Sequence, residues 1–394
     1  MKWASFLSRK PDVVEAFLEV AGAVEQQLNG HPAQLLLVFL SPHHASGAER
    51  MAAAAALRFP AALLAGCTGG GIIGGAREAE SGPALSLTAA SLPGVELSAF
   101  HVEMTGLPEG SDVSGWQRLA GCSPACLPKL ILLADPFTID AATLVTGLDR
   151  AYPAAPKIGG LASGGRRPGE HRLLLGQQVH RSGAIGVCLW GDVEVDTVVA
   201  QGCRAIGHPM IVTRCRENLL LELDCGKPLE VLAAIHSSLG AQDRDLMQHS
   251  LFVGLDMREN RVEHDPSEFL VRNIVGANEP SGSLAVGAEL RPMQVVQFVL
   301  RDARTAEEDL RRQLERQSRS AARPEGALLF SCTGRGEGLF GRPDHDTGLF
   351  ENLLGPAPLG GFFCNGEIGP VGGTTFLHGY TSAFGLFGQR SKQG

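Results

Sequence analysis

Three times along this chain a short apolar run carries a cysteine straight into a glycine cluster: "LLAGCTGGG" (63–71), "LLFSCTGRG" (328–336) and "GFFCNGEIG" (361–369). Runs this short have strand length rather than helix length. Glycine at their ends permits sharp turns and brings main chain close to whatever lies opposite. The stretch "GGFFCNGEIGPVGG" (360–373) states the problem, because a simple strand connection does not need a thiol, an amide and a carboxylate on it. The recurrence across the chain suggests two related halves facing a shared cleft.

The remaining pattern is mixed. "PDVVEAFLEVAGAVEQQL" (11–28) has helical spacing behind a first-turn proline. "QLLLVFLS" (34–41) and "KLILLADP" (129–136) read as buried strands, and "DAATLVTGLDRAY" as a helix capped by Asp140. Alternation on both sides of Pro93–Gly94 predicts a hairpin over 84–103. "VEVDTVVAQGCRAIG" reads as one long strand, 226–240 as a helix ended by Gly240, and 302–320 as a surface helix. Strand-like runs fall at 250–256, 269–275, 283–290 and 294–301, and "TTFLHGYTSAFGLFG" reads as a last strand. The expected fold is therefore α/β (mixed α+β): two related halves with mixed, largely antiparallel sheets flanked by helices.

Composition removes several functions. A formal net charge of -8, no dense basic block and 6% aromatic residues leave little for phosphate neutralisation or base stacking, so nucleic acid is not an expected partner. No stretch has the length of a signal-peptide core or of a membrane span, so a cytoplasmic location without a membrane partner is expected. Nine cysteines without framework spacing fit reduced thiols. "CSPAC" (122–126) has no second ligand pair at zinc spacing, and "PDHD" (343–346) reads as a loop whose Asp346 caps a helix, so no metal is expected. "GGGIIG" (69–74) and "GEGLFG" (336–341) match G-x-G-x-x-G, but neither runs into a long helix, and no P-loop occurs. No cofactor is expected.

What the glycine corners offer is a cradle of main-chain amides with polar side chains beside it: Cys67, Thr68, Ser163, Cys332, Thr333, Arg335, Cys364, Asn365, Glu367 and His378. A cleft of this kind suits a small polar ligand. Arg335 is expected to hold a carboxylate by paired hydrogen bonds, and Glu367 an ammonium group. The alternative is a Cys-dependent enzyme processing acyl or amide groups in the same cleft, with Cys364 or Cys332 as nucleophile and His378 or His208 as base. Glu367 and His378 equally suit a buried pair that fixes the loop, and a third reading makes the chain an interaction scaffold with purely structural glycine loops.

"GALLFSCTGRGEGLFG", "APLGGFFCNGEIGPVGG" and "FLHGYTS" resemble the FIST C domain, while "GCTGGG", "KIGGLASGG" and "GCRAIGHPMIVT" are similar to the FIST N domain. The resemblance implies an N-terminal helix over 1–29, a FIST N domain over 30–225, a FIST C domain over 226–388 and a tail over 389–394. It implies a sensory module of intracellular signal transduction that binds a small ligand, with amino acids or their derivatives as the proposed class. The ligand-binding residues it implies are Cys67, Thr68, Ser163 and His208 from one half, and Cys332, Gly334, Arg335, Asn365, Gly366, Glu367 and His378 from the other. Without an attached output domain in this sequence, signalling is expected to pass through a partner protein.

Overall fold

The computed structural model of the chain describes residues 1–257, 269–320 and 322–389. It forms two compact units, Met1–Val199 with Arg311–Gly394, and Ala200–Leu310.

The larger unit repeats one strand plan. It runs first through β1 (Lys2–Ser8), α1 (Val13–Leu28), β2 (Leu35–Leu40), α2 (Ala48–Arg58), β3 (Leu63–Thr68), the short hairpin β4 (Ile72–Gly74) and β5 (Arg77–Ala79), and β6 (Leu85–Ser91). The second pass is β7 (Val95–Val102), α3 (Val113–Ala120), β8 (Lys129–Ala134), α4 (Ala141–Ala151), β9 (Lys157–Leu161), the hairpin β10 (Leu173–Leu175) and β11 (Gln178–His180), and β12 (Ala184–Gly191). A third pass opens with β13 (Glu194–Ala200) and is then interrupted by the smaller unit.

That unit contains β14 (Cys203–Arg216), β15 (Leu219–Leu223), α5 (Pro228–Ser238), α6 (Ala241–His249), β16 (Leu251–Asp256), β17 (Phe269–Asn278), β18 (Ser283–Val286) and β19 (Val295–Arg301). Its strands close into a barrel in the order β14-β15-β18-β17-β16-β19 around Val212, Leu220, Val253, Leu284 and Phe298. The chain returns through α7 (Ala303–Ser320) and completes the third pass with β20 (Gly326–Cys332), α8 (Glu337–Phe340), α9 (His345–Leu354), β21 (Leu359–Cys364), the hairpin β22 (Glu367–Val371) and β23 (Thr374–His378), and β24 (Ser382–Gly388).

Three six-stranded sheets result, in the orders β1-β6-β2-β3-β10-β11, β7-β12-β8-β9-β22-β23 and β13-β24-β20-β21-β4-β5. Each has a parallel pair at its centre (β2·β3, β8·β9, β20·β21) made by a strand-helix-strand crossover. The hairpin that follows each pair leaves its own sheet and pairs in another: β4–β5 on the third, β10–β11 on the first, β22–β23 on the second. The sheets thus share edges in a cycle.

Both faces of the parallel strands are buried, which is why they read as unbroken apolar runs. Leu35, Leu37 and Phe39 of β2 enter a core shared with Ile131 and Leu133 of β8 and Leu328 and Phe330 of β20. Leu36, Val38 and Leu40 face Phe17, Val20 and Met51 of α1 and α2 instead. The second sheet meets Trp116, Leu144 and Leu148 of α3 and α4 in the same way. Helix starts follow local chemistry, with Asp12 and Asp140 each accepting two first-turn N–H groups.

The mixed α+β reading holds, and the expected duplication takes the form of three repeats. Some local expectations change. Residues 84–103 are not a hairpin: β6 already has β1 and β2 on its two edges, so β7 turns away at Pro93–Gly94 and pairs with β12. The run 193–207 divides at Gln201–Gly202 into β13 and β14, which belong to different units, and the C-terminal run divides into β23 and β24 on different sheets. Gly240 precedes α6 rather than ending α5, whose C-terminal cap is Leu239.

Candidate functional site at the meeting of three strand ends

The second strand of each parallel pair carries a glycine at one shared register. Gly66, Gly159 and Gly361 sit opposite Val38, Leu132 and Leu329. A Cβ at these positions would lie 1.9, 1.8 and 1.8 Å from the carbonyl oxygens of those partners. Counting forward makes Gly70, Ser163 and Asn365 equivalent, as are Thr68, Leu161 and Phe363. The first strands agree with this alignment, because Ser41, Asp135 and Cys332 donate their main-chain N–H to Ala84, Gly183 and Thr381 at 2.9, 2.9 and 3.0 Å.

These equivalent corners meet. Ser163 N–H donates to Thr68 O (3.2 Å) and Asn365 N–H to Leu161 O (3.1 Å). The third link of the cycle would join Gly70 to Phe363, and the Ser163 hydroxyl bridges it, accepting from Gly70 N–H (2.7 Å) and donating to Phe363 O. Phe363 N–H donates to Gly71 O (2.9 Å), Thr333 N–H to Cys364 O (3.0 Å) and Asn365 Nδ2 to Ala162 O (3.3 Å). At the middle, a Cβ on Gly70 would stand 3.5 Å from Gly164 N, 3.5 Å from Ser163 Oγ and 3.6 Å from Thr333 Cγ2. Gly164, Thr333, Gly334 and Asn365 are exposed and Gly70 is half-buried, so small residues form a floor open to solvent.

Of the residues marked out from the sequence, Thr68, Ser163, Cys332, Gly334, Asn365 and Gly366 lie at or against this junction. Thr68 Oγ1 accepts from Arg172 N–H (3.2 Å), and Gly366 O accepts from Leu161 N–H (2.8 Å). The Cys332 sulfur takes Gly334 N–H at 3.5 Å. Cys67 and Cys364 are fully buried in the shared core, and burial pushes both thiols well up. Cys364 points to Phe362 O at 3.5 Å, and the neighbouring Glu367, Cys67 and Cys332 add to its shift. That setting favours a packed neutral thiol over a nucleophile. His378 is buried, and its Nε2 meets Gly369 O at 2.9 Å. His208 belongs to β14 of the barrel unit, where it is exposed, and the site is built without it.

The charged pair takes on structural work. Arg335 is buried, and its Nε and Nη2 hold Asp346 Oδ2 and Oδ1 at 2.7 and 2.9 Å, so the carboxylate expected from a ligand comes from the chain itself. Asp346 accordingly sits in the first turn of α9 as a buried partner rather than capping it. Burial raises its carboxyl, but Arg335 and the His345 hydrogen bond (2.8 Å) prevail and hold it well below the usual range. Phe340 lies under both side chains, stacked on His345 at 3.4 Å and 5.2 Å from the Arg335 guanidinium. Glu367, buried opposite His378 in register, accepts Thr381 N–H at 3.1 Å.

Two further groups escaped the sequence reading. The hairpin β4–β5 brings Glu78 and Glu80 to the starts of α9 and α8, accepting Thr347 N–H (2.9 Å) and Glu337 N–H (2.8 Å). Burial, then the nearby Asp346, push Glu78 up to about 7. In the second repeat a longer loop, 164–172, carries His171 beside Asp135, with Nδ1 3.5 Å from Oδ1. His171 Nε2 accepts Gly165 N–H at 3.1 Å, and its ring stacks on Phe137 at 5.5 Å. Only the run of charges in "GGRRPGEHR" hinted at that loop.

Residues 34–225 match the FIST N domain and residues 228–370 the FIST C domain. An uncharacterized protein of Mycobacterium tuberculosis (strain CDC 1551 / Oshkosh) is 36% identical over 383 residues, covering 97% of this chain and 98% of its own. An F-box/LRR-repeat protein of Arabidopsis thaliana is 30% identical over 132 residues, 29% of this chain and 25% of that protein. The crystal structure of a cyanuric acid hydrolase from A. caulinodans covers 99% of both chains at 10% identity, with a TM-score of 0.31 that carries no inference. Among the described residues, no helix is long and apolar enough to cross a membrane.

Proposed function

This chain belongs to the FIST family of sensory, ligand-binding signalling domains, and from that premise we propose that it binds a small polar metabolite, of the amino-acid class, on the floor where its three strand ends meet. The reading assigns no cofactor and a cytoplasmic setting, with the signal passed to a partner protein in trans. One observation carries it: corners from all three repeats are hydrogen-bonded into one cycle, with Gly164, Thr333, Gly334 and Asn365 exposed along those corners. Glycine there lets a ligand carboxylate or carbonyl approach main chain without Cβ obstruction, while Thr333 and Asn365 add a hydroxyl and an amide. Arg335 and Glu367 serve this site by fixing the segments behind it.

Gly70→Ala tests the assignment. Its Cβ makes only ordinary contacts of 3.5–3.6 Å, so the fold tolerates it, yet the methyl occupies the middle of the floor. Thermal-shift and calorimetric titration of wild type with amino acids and their amides should find a ligand. Gly70→Ala and Asn365→Ala should weaken it about tenfold or more, roughly 1.4 kcal/mol, while leaving the unliganded melting temperature nearly unchanged. Equal affinity in wild type and both variants would place the ligand elsewhere.

A further inference from the structure

The corners of the floor belong to the second strand of each parallel pair, and the first strands end beside them in turns of one kind. The main-chain N–H groups of His44, Thr138 and Arg335 return to the carbonyls of Ser41, Asp135 and Cys332 at 2.9, 3.4 and 2.9 Å. Each bond closes a four-residue turn, so Pro42–His43, Pro136–Phe137 and Thr333–Gly334 are equivalent tips. Two tips meet the floor directly. A Cβ on Gly164 would lie 2.4 Å from Pro42 Cγ, and one on Gly70 would lie 3.6 Å from Thr333 Cγ2. The repeat puts the second tip at the same border, and a run of contacts ties it there. Phe137 stacks on His171 with the two rings 3° from parallel, His171 Nε2 accepts Gly165 N–H at 3.1 Å, and Gly165 adjoins Gly164.

The three tips differ in what they present. His43 is an exposed polar ring, Gly334 has no side chain, and Phe137 is a large apolar ring left 43% exposed. Phe137 is also held in place. Asp135 Oδ1 accepts its N–H at 2.8 Å, which fixes the turn, and the buried His171 backs one face of the ring. A ring braced in this way loses little freedom when a ligand settles on it.

We infer that Phe137 is the specificity-determining residue of the floor, stacking on the ring of a ligand of the aromatic amino-acid class. The inference rests on the reading that a ligand of amino-acid type sits on this floor, and it adds an orientation. The polar groups of the ligand meet the glycine corners with Thr333 and Asn365, and its ring lies over the second repeat. Gly334 leaves the third side clear. An offset stack on Phe137 favours a planar ring over an aliphatic side chain, and either over a charged one, which would lose hydration there.

The experiment is calorimetric titration of the full chain with phenylalanine, leucine, alanine and glutamate, each as the free amino acid and as its amide. Wild type should bind phenylalanine about fivefold or more tighter than alanine. Phe137→Ala should bring that ratio down to about one. Phe137→Leu keeps an apolar cover on His171, so it should retain the fold and still lose most of the preference. Met104→Ala, which removes an apolar side chain 49% exposed elsewhere in the second repeat, should leave the ratio as in wild type. A preference that survives in Phe137→Ala, or that falls equally in Met104→Ala, overturns the role of Phe137 while Gly70→Ala still reports whether the ligand sits on the floor. Binding that Gly70→Ala leaves intact, or no binding by any of these ligands, removes the floor reading and this inference with it.

Discussion

Ser163→Ala removes the one side chain that closes the cycle of strand ends. Two of the three links are main-chain bonds and survive the change; the third runs through the Ser163 hydroxyl, from Gly70 N–H at 2.7 Å and on to Phe363 O. Losing the hydroxyl strands a donor and an acceptor together. A buried polar group left without its partner costs about 1–3 kcal/mol. Phe363 is buried and carries the full penalty, while Gly70 is half-buried and regains part of its bond from water. The expected loss is therefore about 2–4 kcal/mol. Asn365→Ala is the control at the equivalent position: its exposed amide reaches only Ala162 O, and its main-chain link to Leu161 persists, so about 1 kcal/mol or less is expected. Urea denaturation gives the energies, and amide exchange at Gly70 reports the link itself. If Ser163→Ala matched wild type within about 0.5 kcal/mol with Gly70 protection intact, the hydroxyl would not be what closes the cycle.

Asp346→Ala removes the buried carboxylate that holds Arg335 Nε and Nη2 and should cost about 3–5 kcal/mol by chemical denaturation, while Arg335→Met with Asp346→Leu should cost less than either single change. Glu78 carries the opposite sign of pH dependence from Asp346. With its folded value raised to about 7, the folded chain binds more protons than the unfolded one between about 4.5 and 7, so this group subtracts stability as pH rises through that window. Glu78→Gln should accordingly raise the melting temperature above pH 7 and change little below about pH 4.5; an increase of equal size at all pH values would show that the carboxyl charge is not the cause.

Much of the fold was legible because it is written in burial. The parallel strands are apolar on both faces, so "LLLVFL" and "KLILLA" announced themselves as strands, and the aspartates at 12 and 140 marked helix starts by their own capping chemistry. Partner choice was not written there. The alternation across Pro93–Gly94 is the same whether the two strands pair with each other or each closes a different sheet, and only the occupied edges of β6 decide. The hairpin β4–β5 lay in a glycine-rich stretch with three residues per strand, below what periodicity detects. At the site, the glycine corners and Ser163, Thr333 and Asn365 could be read, because small residues after apolar runs are a local signal. The roles of Arg335 and Glu367 could not, because charge is local but its partner is not: Asp346 is 11 residues along and Thr381 is 14.

The place of the barrel explains why two halves suggested themselves where the chain builds three repeats. The boundary between the matched domains, 225 to 228, falls between β15 and α5, inside the smaller unit. The FIST N match thus holds most of the first repeat, the second repeat and the opening strand of the third, while the strands β20 to β22 that continue the third lie in the FIST C match. Of the three links that join the corners, only Ser163 to Thr68 lies within the N-terminal match; Asn365 to Leu161 and Gly70 through Ser163 to Phe363 both cross to the C-terminal one. Neither matched domain can assemble the floor alone, because each lacks strand ends that the other supplies. On this geometry the floor needs strand ends from both matched domains, and the corners at Gly70 and Asn365 enter one cycle only through that exchange.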